Sequence, residues 1–405
     1  MKIIFFVENN HAGGMDTFFI NIINNWPFKQ DKLCLICNHN HPGLSHIKSS
    51  VTRECQFYDH DIILYDRFID NFFFFLPFIL RKILRPFFRI IFFPYQLHRL
   101  KKIFKELDGD KLLSVNGAYP GGETSRIANI AWRKIGKGMS VHNIRNFAIP
   151  PRTIIMPYEN MIDAMLERSV HTYIGVSSCC AESLRLRPIL HNSSKIKYIY
   201  NGVPDPDINE NRDVFDLRKT LNINDGPICL MLSTYELRKG FEFLFNVFKE
   251  LSNDSPDVNL VICGDSTKKE KSVVEQLRKN IAPKSKIHLL DFVPNGKALI
   301  NQADILIVAS QEWESFGWTV IEAMIRGVPV VSTNAGGLAE VVGKNGEEGF
   351  SLDKNDKAGF VKSISALIDD SNLRNSIGQK GKLRAQSFFS IDRMVKEYSE
   401  VIRDN

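Results

Sequence analysis

The chain has 405 residues, 44% hydrophobic and 24% charged, with a formal net charge of +6 and a pI of about 8.8. That length exceeds one ordinary core and suits two lobes of roughly 150–200 residues in a soluble globular protein. The mild basic excess suits phosphate-bearing ligands or an anionic membrane face, and the lack of zinc-finger spacing, RNP-type aromatics and basic-region heptads argues against nucleic acid.

The opening MKIIFFVENN is a short apolar run that meets polar residues at once. It lacks the longer apolar stretch and small-residue cleavage site of a signal peptide. It reads as a first buried strand, so the expected location is the cytoplasm. Further apolar runs follow at 32–37, 111–116, 139–143, 172–177 and 196–201, then at 228–233, 258–264, 286–293, 304–310 and 328–333. Helical patterns separate them. Continuous apolar strands alternating with helices predict parallel sheets covered on both faces. Cys34 and Cys37 have CxxC spacing within KLCLIC, but strand alternation puts them on opposite faces. No second pair completes a zinc set, and the seven cysteines read as buried thiols of a reducing compartment. His39-Asn40-His41 reads as a loop.

Residues 71–95, NFFFFLPFILRKILRPFFRIIFFPY, stand apart. The charge-free piece before Arg81 is too short to cross a bilayer, which takes about 20 residues. Arg81, Arg85 and Arg89 share one face at helical spacing, with Lys82 nearby, while Phe87, Phe88, Ile83, Leu84 and Ile91 cover the rest. That is a basic amphipathic segment of the type that lies in a membrane interface, and Pro86 is expected to kink any single helix through it. The competing reading is a helix pair capping the first lobe with its aromatics in the core. Asp108-Gly109-Asp110 has the spacing of a metal-binding DxD cluster but reads as a polar turn. A polar stretch at 204–226 with two prolines predicts a linker between lobes at 1–205 and 206–385, followed by a terminal segment at 386–405.

The most informative stretch is 303–342, ADILIVASQEWESFGWTVIEAMIRGVPVVSTNAGGLAEVV. A buried strand ends at Ser310, an acidic and aromatic loop follows, and Phe316-Gly317 opens a helix ending near Gly327, a suitable residue just past a helix end. The amides of Phe316, Gly317, Trp318 and Thr319 lie at that helix start and make an anion site suited to a diphosphate. Glu314 stands just ahead of the helix and Glu322 inside it. Their carboxylates can accept hydrogen bonds from sugar and ribose hydroxyls.

In these residues the chain resembles the family 4 (group 1) glycosyltransferases of GT-B fold. The resemblance extends to His11-Ala12-Gly13-Gly14, similar to that family's Gly-Gly loop after the first strand. It takes in Ser140-Val141-His142-Asn143, similar to its strand end bearing a sugar-facing histidine, and the Tyr200-Asn201-Gly202-Val203 turn. Arg238-Lys239-Gly240 resembles its diphosphate clamp, and Cys263-Gly264-Asp265 its turn after a second-lobe strand. The resemblance implies an α/β architecture of two Rossmann-like lobes with parallel sheets facing a central cleft, and a terminal helix near 390–403 packing back on the first lobe.

It also implies roles. Gly13 and Gly14 let backbone approach the donor phosphates, Glu314 holds the donor sugar, Glu322 the ribose, and His142 touches the sugar near the reacting centre. Arg238 and Lys239, with the amides at 316–319, stabilise the departing diphosphate. Many members carry an arginine where Ser233 and Thr234 stand, and Arg238 would supply that charge here. The expected reaction is retaining transfer from a nucleotide-diphosphate sugar to a saccharide or lipid-linked acceptor in surface polysaccharide or lipopolysaccharide assembly, with no metal and no cofactor. Two other functions fit the same fold: a non-catalytic shell docking a polysaccharide-assembly complex through 71–95, and a sugar-nucleotide epimerase.

Overall fold

The computed structural model describes residues 1–11, 13–206 and 215–404. Ala12 of the predicted glycine loop and residues 207–214 of the predicted linker lie outside the described residues. The chain divides into two compact units, Met1–Tyr200 with Ile391–Asn405, and Asn201–Ser390. These divisions fall a few residues from the 205/206 and 385/386 boundaries expected from the sequence.

The first unit is built on seven parallel strands: β1 (Lys2–Val7), β2 (Lys32–Asn38), β3 (Cys55–His60), β4 (Lys111–Asn116), β5 (Ser140–Ile144), β6 (Val170–Gly175) and β7 (Ile196–Tyr198). Their order is β3-β2-β1-β4-β5-β6-β7. The apolar runs are continuous because both faces are covered. Ile3, Phe5 and Val7 enter one core, and Ile4 and Phe6 the opposite one. The alternation also separates Cys37 from Cys34, which enter those two cores respectively. Burial pushes the Cys34 thiol up to about 11 and the Cys37 thiol up to about 12, so both are inert at neutral pH.

The helix Ile391–Arg403 belongs to this first unit. Met394, Val395, Tyr398 and Ile402 enter the same core as Phe5. Phe18 of the helix Gly14–Asn24 meets Tyr398 at 5.3 Å. The Tyr398 hydroxyl accepts a hydrogen bond from Asn143 at 2.9 Å.

The 71–95 segment follows neither expectation whole. A helix Tyr65–Phe72 is followed by a helix Phe78–Leu107 that runs through Pro86 and Pro94 without a break. Proline costs this helix two backbone hydrogen bonds, and tertiary contacts offset that cost. Leu100, Ile103, Phe104 and Leu107 are buried in the core at its far end. The basic face expected from Arg81, Arg85 and Arg89 is not presented. Arg89 is buried, bonded to Glu123, to Glu159 at 3.1 Å and to the Pro120 carbonyl at 2.9 Å. Arg81 and Arg85 both pair with Asp70. The aromatics are not all in the core either, since Phe74, Phe75, Phe78, Ile79 and Phe87 are exposed. Among the described residues no helix is long and apolar enough to cross a membrane. Asp108-Gly109-Asp110 is a turn, with Asp108 in the left-handed conformation and the Asp110 carboxylate accepting from the Lys2 amide at 2.7 Å.

The second unit has six parallel strands: β8 (Ile228–Leu232), β9 (Asn259–Cys263), β10 (Lys286–Leu290), β11 (Ile305–Val308), β12 (Val330–Thr333) and β13 (Phe350–Leu352). Their order is β10-β9-β8-β11-β12-β13. Both sheets share one logic. The chain winds outward from the first strand, then returns to its other side, so strand order reverses between β1 and β4 and between β8 and β11. Loops leaving the carboxyl ends of such a pair diverge to opposite faces and leave a crevice where ligands bind.

Candidate functional site

In the second unit the reversal point carries the residues singled out by sequence. The loop after β8 ends in a short helical turn, Leu237–Lys239, and the loop after β11 carries Glu314. The two loops are tied by the Gln311 amide donating to the Arg238 carbonyl at 3.0 Å. Across that tie Lys239 Nζ bonds Glu314 Oε1. The Arg238 guanidinium approaches the same oxygen at 3.5 Å, and Ser310 Oγ donates to it at 2.9 Å. Arg238 also pairs with Glu236 at 2.7 Å and lies over the Trp313 ring at 4.8 Å. The Arg238 hydrogen bond holds the Glu236 carboxyl below the usual carboxylate range. Arg238, Lys239 and Glu314 are thus brought together, partly open to solvent.

The helix here is Trp318–Ile325, starting two residues after Phe316, where the sequence suggested its opening. Phe316 is not at its start. It is buried against Phe389 at 5.8 Å and Trp318 at 6.2 Å. The amides of Trp318 and Thr319 begin the helix and have no intrahelical carbonyl to reach. Gly317 caps it with φ 106, and a Cβ there would lie 2.6 Å from Leu338 Cδ2, so only glycine turns this corner. Glu322 lies in the second turn, half-buried, with its carbonyl accepting from Arg326 at 2.7 Å. Gly264 follows β9, where a Cβ would sit 1.9 Å from the Ser233 carbonyl oxygen. That close approach of two strand ends is itself a reason for glycine.

In the first unit, Gly13 caps the helix Gly14–Asn24, its amide donating to Asp16 at 3.0 Å. A Cβ at Gly13 would meet nothing within 4 Å, so the loop has open space beside it. Asp16 is held in turn by His41 at 2.8 Å. His142 departs from expectation. It lies inside β5 at 0% exposure, between the rings of Tyr119 and Tyr173, with Nδ1 2.9 Å from the Asn129 amide nitrogen. Burial, then the nearby Arg126 charge, lower its pKa to about 3, so the ring is neutral. Here a sugar could reach it only if an aromatic wall moved. The first-unit candidate that sequence reading missed is Arg145, just past the end of β5, its guanidinium 4.2 Å over the Phe18 ring. Burial lowers its pKa to about 10. The signal was a charged residue directly after an apolar strand in SVHNIR.

Comparison with known proteins gives the site a setting. Residues 213–384 match the family described as glycosyl transferases group 1. The chain is 26% identical over 210 residues to N-acetyl-alpha-D-glucosaminyl L-malate synthase of Bacillus anthracis, covering 52% of this chain and 54% of that protein. It is 29% identical over 168 residues to the capsular polysaccharide biosynthesis glycosyltransferase CapM of Staphylococcus aureus, covering 42% and 43%. The matches thus span about half the length of these curated relatives. Over 100% of both chains the fold is similar to that of Anabaena Alr3699/HepE, solved in complex with UDP and glucose, with a TM-score of 0.74 and 17% identity. The architecture is therefore the GT-B fold, and it is the second lobe, over residues 213–384, that is similar to the glycosyl transferases group 1 family.

Proposed function

We propose that this protein is a retaining glycosyltransferase that takes a sugar from a nucleotide-diphosphate donor and places it on a saccharide or lipid-linked acceptor, without a metal, at the cytoplasmic face of a membrane. The observation that carries the reading is the convergence of Lys239, Arg238 and Glu314 at the strand-order reversal of the second sheet, beside the start of the Trp318–Ile325 helix. Two cations and helix amides at one crevice suit a diphosphate.

In this reading the diphosphate takes Lys239 and Arg238 from Glu314, and the released carboxylate accepts hydroxyls of the donor sugar. As the bond between anomeric carbon and phosphate oxygen breaks, negative charge grows on the diphosphate, where both cations already stand. An acceptor hydroxyl attacks from the same face and passes its proton to the leaving phosphate oxygen. Glu322 holds the ribose. His142 in this account keeps the β5 wall in place, between Tyr119 and Tyr173.

The likeness to CapM supports a place in surface polysaccharide assembly. The test is a panel of nucleoside diphosphates in thermal melting, since a ligand that binds only the folded state raises the midpoint, followed by transfer assays with matching labelled nucleotide sugars. Stabilisation by one base class with turnover supports the reading. No stabilisation by any nucleoside diphosphate would overturn it.

A further inference from the structure

The Arg238 guanidinium is held on three sides, and the hold begins in the loop after β8. Tyr235 anchors that loop. It is buried, stacks on Phe241 at 5.6 Å, and its hydroxyl donates to the Leu290 carbonyl at 2.7 Å. Its neighbours Thr234 and Glu236 lie on the solvent side, where Thr234 Oγ1 donates to Glu236 Oε1 at 2.7 Å. The Glu236 carboxylate then takes one edge of the guanidinium, accepting from Nε at 2.7 Å and from Nη2 at 3.3 Å. The face of the guanidinium lies on Trp313, with Cζ 4.8 Å from the ring centroid. Its Nη1 stands 3.5 Å from Glu314 Oε1, the oxygen that Lys239 also bonds.

Edge, face and end are thus each met by a different side chain, all within the second lobe. Glu236 carries a cost, because an anion one guanidinium away from a diphosphate repels it. The ion pair adds little to folding, since the side chains of Arg238 and Glu236 are 22% and 43% exposed. What the two-point contact does is fix direction. A long side chain loses rotamer freedom when it binds an anion, and a planar fork already held in place loses less for each hydrogen bond it forms. Trp313 adds a cation–π contact to the same guanidinium and brings no charge that opposes the ligand.

We propose that Glu236 and Trp313 are positioning residues that hold Arg238 ready for the diphosphate, so that the ligand displaces only Glu314 and meets the second cation already aimed. The proposal rests on the glycosyltransferase reading for its ligand and on second-lobe geometry for the rest.

Calorimetric titration of UDP, ADP and GDP into the full chain selects the diphosphate that wild type binds, and the same ligand is then titrated into variants. Glu236→Gln separates the two effects of the carboxylate by sign. Loss of a mere negative charge would tighten binding, whereas loss of the hold should weaken it by about tenfold, the order of magnitude of the rotamer entropy of a freed arginine. In an Arg238→Ala background the same change should leave affinity unchanged or raise it. Trp313→Leu should weaken binding by about two- to fivefold, and Trp313→Tyr, which keeps a ring face, should retain wild-type affinity. Glu236→Gln lies at an exposed pair and should keep the wild-type melting temperature. Unchanged or tighter binding by Glu236→Gln overturns the proposal, and so does an equal loss in the Arg238→Ala background. Wild-type binding without this coupling refutes the positioning role alone, whereas no binding of any of the three diphosphates refutes the glycosyltransferase reading beneath it.

Discussion

Lys239 and Glu314 form an ion pair across the two loops that leave β8 and β11, and Ser310 donates to the same carboxylate oxygen at 2.9 Å. The pair joins the residue assigned to the diphosphate with the residue assigned to the sugar. Each therefore holds the other, and under the proposed function a bound donor would exchange both contacts at once. The pair is partly exposed, so its own contribution to folding is small, and its consequence lies in binding.

Lys239→Ala removes one of two cations from the leaving group. Transfer should fall by about 10²-fold, because preorganised charge at a departing group contributes several kcal/mol. Circular dichroism should show an unchanged fold. Near wild-type turnover in the folded variant would remove Lys239 from the mechanism.

Arg89→Met tests the charge cluster under the Phe78–Leu107 helix. Arg89 and Arg126 both reach Glu123, and Arg89 and Arg187 both reach Glu159, all buried. Burial pushes the Glu123 carboxyl up, but Arg126 and Arg89 outweigh it and hold the net value below the usual range. Removing one partner of a buried pair leaves an uncompensated charge and costs about 3–5 kcal/mol. Urea unfolding should show this loss, while Arg81→Gln, at a surface pair, should change stability by under about 1 kcal/mol. Equal effects would mean that the cluster is not what holds this helix.

His142 sets a pH dependence. Its folded-state value of about 3 lies below the unfolded value of 6.5, so the unfolded chain binds the proton first as pH falls. Stability from this group is complete above 6.5 and declines toward 3, by about 1.4 kcal/mol per pH unit. Asn129, Tyr119, Tyr173 and Arg126 face the ring, and none is an anion that would hold the proton. Between pH 6.5 and 5, His142→Gln should therefore lose about 2 kcal/mol less stability than wild type. Parallel pH profiles for the two proteins would contradict the burial.

Sequence carried the architecture because β1, β2, β8 and β11 are uninterrupted apolar runs that only a sheet covered on both faces explains. Arg238 and Lys239 stood out only through the family resemblance and Glu314 through its place just ahead of a helix, and the structure brings the three together at one strand-order reversal. The fate of Arg89 was not legible, since Glu123 and Glu159 stand 34 and 70 residues away and nothing local distinguishes a paired arginine from a solvated one. Helical spacing gave Arg81, Arg85 and Arg89 one face but not what that face meets. His142 was placed at a strand end, and the walls that enclose it, Tyr119 and Tyr173, come from other segments.

Under the proposed function Glu314 serves the sugar and Glu322 the nucleoside. Calorimetric titration of a nucleoside diphosphate, with each common base, into wild type, Glu314→Gln and Glu322→Gln tests it most directly. A carboxylate hydrogen bond to a ligand hydroxyl is worth roughly 1.5–3 kcal/mol, or about 10- to 150-fold. Glu322→Gln should weaken binding by that factor. Glu314→Gln should bind as wild type does, or more tightly because Lys239 is released, while transfer falls strongly. Equal losses in both variants would contradict the assignment, and no nucleotide binding by wild type would contradict the function.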